Sequence, residues 1–204
     1  MRVLHVSDIH CSIAMLERLF KSLSSTEYDL IAVTGDIECD SEAVEILKSQ
    51  NKPVLFVPGN MDDIGVLKTF KQHEMSIDAE MREIGGFAFC GIGGLSFVSS
   101  LNTITSKLKG RKSELEGRLV VLSHFPPRAE RVDVVTTGLH AGLKELRDFI
   151  LEYRPLAFLH GHIHESPGSE VIGNTLVVNA GPLRKRCYAI VDLKLRVAEN
   201  RLLK

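Results

Sequence analysis

Short apolar runs that stop on polar residues punctuate the chain, and stretches with helical spacing lie between them. Arg2 to Ser7 predicts a first strand, ending in Ser7-Asp8-Ile9-His10. Met15, Leu16, Leu19, Phe20 and Leu23 then fall at the three-and-four spacing of one buried helix face, with Ser12 placed to cap it. Leu30-Ile31-Ala32-Val33-Thr34-Gly35-Asp36 is an apolar run bounded by turn residues, the pattern of a buried strand that sets Asp36 at its rim. Ser41 predicts a second N-cap before Val44, Ile46 and Leu47, and Pro53 to Val57 a third strand, broken by Pro58-Gly59 and followed by Asn60-Met61-Asp62-Asp63. Strand, helix, strand, helix, strand with short joints predicts a parallel sheet covered by helices. Each strand then delivers its polar terminus to the same edge.

The second half is less regular. Phe87 to Gly91 predicts a strand and Ile92-Gly93-Gly94-Leu95-Ser96 a tight turn leaving it. From Phe97 to Gly117 the pattern is weak, with a helix around Leu101 to Leu108 and a basic, flexible end. Leu119 to Ser123 predicts a strand that stops at His124-Phe125-Pro126-Pro127. Gly142 to Tyr153 has the spacing of an amphipathic helix with Leu143, Leu146, Phe149 and Ile150 inward, ended by Arg154-Pro155. Leu156 to His160 runs into Gly161-His162-Ile163-His164, and Thr175 to Asn179 and Tyr188 to Leu193, with Leu195 to Leu203, predict strands that finish a second sheet. The pattern shows no internal repeat.

Composition narrows the class. The 204 residues suffice for one sizeable core, and no proline-rich, glycine/serine-rich or charged linker divides them, so one domain over 1–204 is expected. With 44% hydrophobic and 25% charged residues and a net charge of -1, the chain reads as an ordinary globular protein with no basic field for nucleic acid or membrane. Met1-Arg2 leads straight into the first strand, and no apolar run nears the roughly 18 residues of a membrane span. Cys11, Cys39, Cys90 and Cys187 are scattered without a Cys-x-x-Cys pair, suggesting neither a disulfide framework nor a thiolate zinc site, and a reduced, cytoplasmic setting is expected.

Five strand ends share one kind of polar punctuation: Asp8-Ile9-His10, Gly35-Asp36, Gly59-Asn60, His124 and Gly161-His162-Ile163-His164. One such block is weak evidence, since a histidine at a strand end is more often a hydrogen-bonded surface residue than a ligand. The ordered set is specific. It resembles the calcineurin-like metallophosphoesterases, whose motifs run D-x-H, G-D, G-N, H and G-H-x-H, and the likeness extends from the first strand to about Pro182. The resemblance implies an α/β fold, a four-layer αββα sandwich of two mixed sheets flanked by helices, with two divalent metal ions at the strand ends. Carried over residue by residue, it implies that Asp8, His10, Asp36 and His164 hold one ion and Asp36, Asn60, His124 and His162 the other. Asp36 would touch both.

The residue types suit that chemistry on their own terms. Imidazole nitrogens with carboxylate and amide oxygens, and no thiolate, suit manganese, iron, zinc or nickel, manganese being favoured here. Two such ions roughly 3.5 to 4 Å apart bind phosphoryl oxygens and lower the pKa of a bridging water. The expected reaction is hydrolysis of a phosphoester by a metal-bridging hydroxide, with no seryl or cysteinyl intermediate. Many relatives carry a histidine after the asparagine, assigned to protonating the leaving group, where this chain has Met61. A methionine transfers no proton, so an easier leaving group, another acid or water is needed. His140, in Gly138-Leu139-His140-Ala141-Gly142, is the candidate substitute if its loop folds over the ions; a surface or helix-capping histidine is the competing reading.

Other polar residues take blander readings. His160 and His5 lie in strands and read as core histidines, His73 as solvent-facing, and Cys11 and Cys39 as small buried hydrophobes. The basic runs Lys107 to Lys112 and Arg184-Lys185-Arg186 read as solvated faces that are placed to steer phosphates. The blocks from His124 to Ser166 look like a branch similar to the class III cyclic-nucleotide phosphodiesterases, which favours a small or nucleotide-type phosphodiester as substrate. A phosphomonoesterase, a weakly catalytic or non-catalytic scaffold like the retromer subunit of this architecture, and a repair nuclease are the rivals. The last needs a long basic groove that this composition lacks. Relatives are often dimers, so a homodimer is the assembly the resemblance suggests.

Overall fold

The computed structural model describes residues 1–24 and 26–204. The expected parallel sheet forms from β1 (Arg2–Val6), β2 (Leu30–Thr34) and β3 (Val54–Val57), joined through α1 (Ile13–Ser22) and α2 (Asp40–Lys48). Register pairs Val6 with Val33 and Val33 with Phe56, so the loops carrying Asp8, Asp36 and Asn60 leave one edge side by side. After β3 comes α3 (Ile64–Gln72), capped by the Asp63 carboxylate, which accepts from Val66 N at 2.9 Å. β4 (Met81–Ile84) and β5 (Phe87–Ile92) follow, then α4 (Phe97–Leu108), α5 (Lys112–Leu115), β6 (Leu119–Ser123), α6 (Lys144–Tyr153), β7 (Ala157–His160), β8 (Gly168–Ile172), β9 (Thr175–Asn179), β10 (Cys187–Asp192) and β11 (Val197–Leu202).

Two mixed sheets result, a five-stranded one in the order β11-β10-β1-β2-β3 and a six-stranded one in the order β4-β5-β6-β7-β9-β8. Three apolar clusters separate four layers. Leu16 and Leu19 of α1, Val44 and Leu47 of α2 and Phe70 of α3 pack on the outer face of the first sheet. Val3, Ala32 and Leu55 meet Phe89, Val120, Leu159 and Val178 between the sheets. Ile104 and Leu108 of α4 and Leu146, Phe149 and Ile150 of α6 cover the second sheet. This is the αββα sandwich.

Several boundaries differ from expectation. Tyr188 to Leu193 and Leu195 to Leu203 do not finish the second sheet: β10 runs antiparallel beside β1, and β11 beside β10. β10 buries alternate side chains on both faces, Ala189 and Val191 between the sheets and Tyr188 and Ile190 under the outer helices, so its apolar run says nothing of which sheet takes it. Ser41 lies inside α2, whose N-cap position is Cys39, and Ser12 occupies the α1 N-cap without a side-chain cap bond. Among the described residues no helix is long and apolar enough to cross a membrane.

Candidate metal centre

The loops leaving β1, β2, β3, β6 and β7 meet at one rim, with strained backbone. Asp8, His10, Asp36 and His162 take positive φ values of 51°, 45°, 53° and 69°. For a residue with a Cβ this region costs on the order of 1 kcal/mol or more. Backbone bonds hold the turns in place: Asp8 N donates to Gly35 O at 3.1 Å and His10 N to Asp36 O at 2.9 Å. Asp62 does more, because its buried carboxylate accepts from Asp36 N (2.9 Å), Ile37 N (2.8 Å), Glu38 N (3.0 Å) and Gly59 N (2.8 Å). That one side chain ties the Asp36 loop to the Asn60 loop. Glycines permit the approach, since a Cβ at Gly59 would overlap Asp36 Oδ1 and one at Gly161 would overlap Ser7 Oγ.

Two groups of side chains converge, Asp8 with His10 and His164, and Asp8 with Asp36 and His124, their ligand atoms within 4.8 Å of one another in each group. Every member is oriented from behind. Asp8 Oδ2 accepts from Ser7 Oγ (2.6 Å) and His162 N (3.1 Å), leaving Oδ1 toward His164 Nε2 at 3.1 Å. That approach lacks hydrogen-bond geometry, so Asp8 Oδ1 is buried and unpartnered. Asp36 Oδ1 accepts from Met61 N at 2.9 Å, and Oδ2 faces His124 Nε2 at 3.5 Å and His10 Nε2 at 3.9 Å. His10 donates Nδ1–H to Glu38 Oε1 at 2.7 Å, and its Nε2 is the second buried atom at the rim without a partner. His124 donates Nδ1–H to Thr34 O at 2.9 Å, so a neutral imidazole turns a bare Nε2 toward Asn60 Oδ1 at 2.8 Å.

Acceptors aimed at one another are unfavourable unless a cation lies among them. Donor atoms on one ion with bonds of about 2.1 Å sit roughly 3 Å apart, which is the spacing of these pairs. The residues therefore fit divalent cations. Protonation states agree: burial alone would raise the Asp8 pKa, but His164, His124 and the Ser7 hydroxyl outweigh it and bring it to about 2. Burial, then Asp8 and Asp62, hold Asp36 above its ordinary value against the pull of His124 and the Met61 N–H. Burial, and after it His124, push His162 down to about 4, which leaves a neutral imidazole near neutral pH.

His162 belongs to neither group of converging atoms, although its ring centroid lies 5.0 Å from that of His124 and Phe125 stands edge-on to it at 4.9 Å. His140 stands apart too: its Nδ1–H donates to Asp133 Oδ1 at 2.7 Å, and fully buried Asp133 also accepts from Gly142 N at 3.2 Å. His5 and His160 are buried core histidines, as expected, and His73 is exposed. Lys107, Arg111 and Lys112 are engaged by Ala79 O, Glu114 and Glu152, a solvated face.

The cysteines correct the sequence reading. Cys11 and Cys39 form a disulfide, and Cys11 is exposed rather than a buried hydrophobe; only Cys90 and Cys187 are buried free thiols. A signal for it exists in the chain. Asp8-Ile9-His10-Cys11 and Asp36-Ile37-Glu38-Cys39 are the same Asp-Ile-x-Cys phrase at the ends of neighbouring parallel strands. Equal positions meet: Cys11 with Cys39, and His10 with Glu38, a carboxylate the sequence reading passed over. Asp62 was missed because a carboxylate that serves backbone amides leaves no motif.

An αββα sandwich whose strand ends gather histidines and carboxylates defines the metallophosphoesterase fold. Residues 1–195 match the calcineurin-like phosphoesterase superfamily domain, and the chain belongs to that superfamily, whose members use divalent metals. It is 31% identical over 211 residues to an uncharacterised protein of Methanocaldococcus jannaschii, MJ1162, covering 95% of this chain and 93% of that one. Among solved structures, TT1561 of Thermus thermophilus matches with a TM-score of 0.82 at 20% identity, over 100% of this chain and 99% of the other. An archaeal phosphodiesterase matches with a TM-score of 0.64 at 14% identity, and zinc-complexed Vps29 of Entamoeba histolytica with 0.52 at 12%, each over 100% of both chains. At these identities the structural likenesses establish the fold.

Proposed function

We propose that this protein is a metal-dependent phosphodiesterase that hydrolyses a small or nucleotide-type phosphodiester using two divalent ions, manganese favoured. The observation that carries the reading is the convergence of buried acceptors without partners, Asp8 Oδ1 and His10 Nε2, on a rim where His124 Nε2 also faces Asn60 Oδ1. It supports Asp8, His10, Asp36 and His164 as the holders of one ion and Asp36, Asn60, His124 and His162 as the holders of the other. Asp36 Oδ2 faces both His10 and His124, which suits a shared ligand. When bound, such ions would supply Lewis acidity toward phosphoryl oxygens and a lowered pKa for coordinated water.

The chain's own residues orient and exclude. Glu38 fixes His10 through Nδ1, and Thr34 O fixes His124 in the same way, the outer-shell arrangement that sets tautomer and ring direction. Met61 is 60% exposed beside Asn60 and offers no proton, which favours esters whose leaving group departs unprotonated. His140, oriented by Asp133, is the imidazole we assign to any proton delivery. Similarity to an archaeal phosphodiesterase is in keeping with a diester. A net charge of -1 supports a cytoplasmic enzyme of small substrates rather than a nucleic-acid or membrane protein.

The test is hydrolysis of matched aryl phosphodiester and monoester substrates by the purified, manganese-loaded protein. The diester is expected to turn over faster, with loss of activity on chelation. Monoester hydrolysis far above diester hydrolysis would overturn the substrate assignment. Absence of bound metal with no rescue by added manganese would favour a binding scaffold of the same fold.

A further inference from the structure

We propose that Arg184 is the phosphate-receiving residue of this site, parked on His164 in the metal-free protein and released to the substrate's phosphoryl oxygens when metal binds. The inference rests on the metal-site reading above. It begins from one contact, Arg184 Nη2 lying 3.0 Å from His164 Nδ1. A guanidinium only donates, so His164 Nδ1 must be the acceptor and carry no proton. In the neutral imidazole the proton then sits on Nε2, the atom 3.1 Å from Asp8 Oδ1 and turned into the cluster. A cation held by Nε2 needs that lone pair free, and a neutral ring then carries its proton on Nδ1. Nδ1–H would oppose the Arg184 N–H, donor against donor. The Arg184 contact and metal ligation through Nε2 therefore exclude each other.

The guanidinium cannot go far. Its turn, the 3-10 segment Leu183–Lys185, is pinned to the end of β1 by Leu183 N donating to Ser7 O at 2.9 Å, and Leu183 itself is fully buried. The side chain is exposed, and among the described residues Arg184, Lys185 and Arg186 make no salt bridge to a carboxylate. A guanidinium held beside dipositive ions is repelled unless an anion lies between them. The anion that matches its planar fork of donors is a phosphoryl group, taken through two parallel N–H···O bonds.

The experiment compares wild type with Arg184→Gln, Arg184→Lys and, as a control for general charge, Lys185→Gln. Three quantities are read: manganese affinity, binding of inorganic phosphate to the manganese-loaded protein by calorimetry, and KM against kcat for an aryl phosphodiester. Arg184→Gln should weaken phosphate binding about 10-fold or more and raise KM, while tightening manganese severalfold because the competing contact is gone. Arg184→Lys should retain part of the phosphate affinity, and Lys185→Gln nearly all of it. In metal-free wild type the 15N signal of His164 Nδ1 should be that of an unprotonated nitrogen, and added zinc should shift it to the protonated one. An Arg184→Gln protein that loads manganese and holds phosphate as tightly as wild type overturns this inference alone. A wild-type protein that takes up no manganese overturns the metal-site reading, and this inference with it.

Discussion

Asp36 and Asp62 are two carboxylates one loop apart with opposite duties. Asp36 turns Oδ2 toward two histidines, whereas Asp62 spends both oxygens on four backbone N–H groups and none on the cluster. Asp36→Asn keeps an oxygen for Met61 N but removes the charge that faces both groups, so manganese content should fall at both positions, read by elemental analysis, with loss of hydrolysis. Loss of His10 should weaken mainly one position. Full metal content and full activity in Asp36→Asn would overturn the ligand assignment. Asp62→Asn should fail differently: the amide nitrogen cannot accept, leaving buried N–H groups unpaired at a cost of about 2 kcal/mol or more, seen as a lower Tm even without metal. The first aspartate was legible because the ligand blocks end apolar runs in a fixed order. The second was not, since its partners are main-chain atoms that any residues supply.

The elements were legible where periodicity was clean and both neighbours were local. β2, β6 and β9 fall where the apolar runs place them, as does the body of α6. β4 and β8 were missed because they are edge strands with mixed exposure, reading Met-Arg-Glu-Ile and Gly-Ser-Glu-Val-Ile. α3 and the first turn of α4 were missed because their buried positions are few, Val66 and Phe70 in the one and Ser100, Ile104 and Leu108 in the other. The disulfide was hidden by distance along the chain, 28 residues, although parallel pairing of β1 and β2 makes Cys11 and Cys39 neighbours. It ties the α1 entry loop to the α2 entry loop, and closing a loop of this length is worth about 3 to 4 kcal/mol in the chain-entropy picture. Backbone bonds from His10 N to Asp36 O and Cys11 N to Ile37 O join the same loops, so reduction should lower the Tm without unfolding the rim. Thermal unfolding with and without reductant reads this, with the Cys11→Ser, Cys39→Ser double variant expected to match reduced wild type and ignore reductant. A wild-type Tm indifferent to reductant would mean the link is absent in solution.

Across the whole molecule, the same burial that prepares the rim makes the fold sensitive to acid. His5, 0% exposed between the sheets, is pushed to about 3 by burial and then by His160, and His160 itself to about 4 by burial. His162 lies at about 4 as well. All three folded values stand below the ordinary 6.5 of histidine, so from there down to each folded value the unfolded chain binds protons that the folded one refuses. Stability is therefore fully present above the ordinary value and falls as pH drops below it, by up to about 1.4 kcal/mol per pH unit for each imidazole. Asp8 adds to this only lower, between its ordinary 3.8 and about 2. Denaturant unfolding of the metal-free protein between about pH 7.5 and pH 5 should show stability declining steadily toward the acid end. His5→Gln, which takes one imidazole out of the sum, should flatten that slope by about one proton's worth. A slope unchanged in His5→Gln, or stability level across the range, would mean that the buried imidazoles are not kept neutral by the fold.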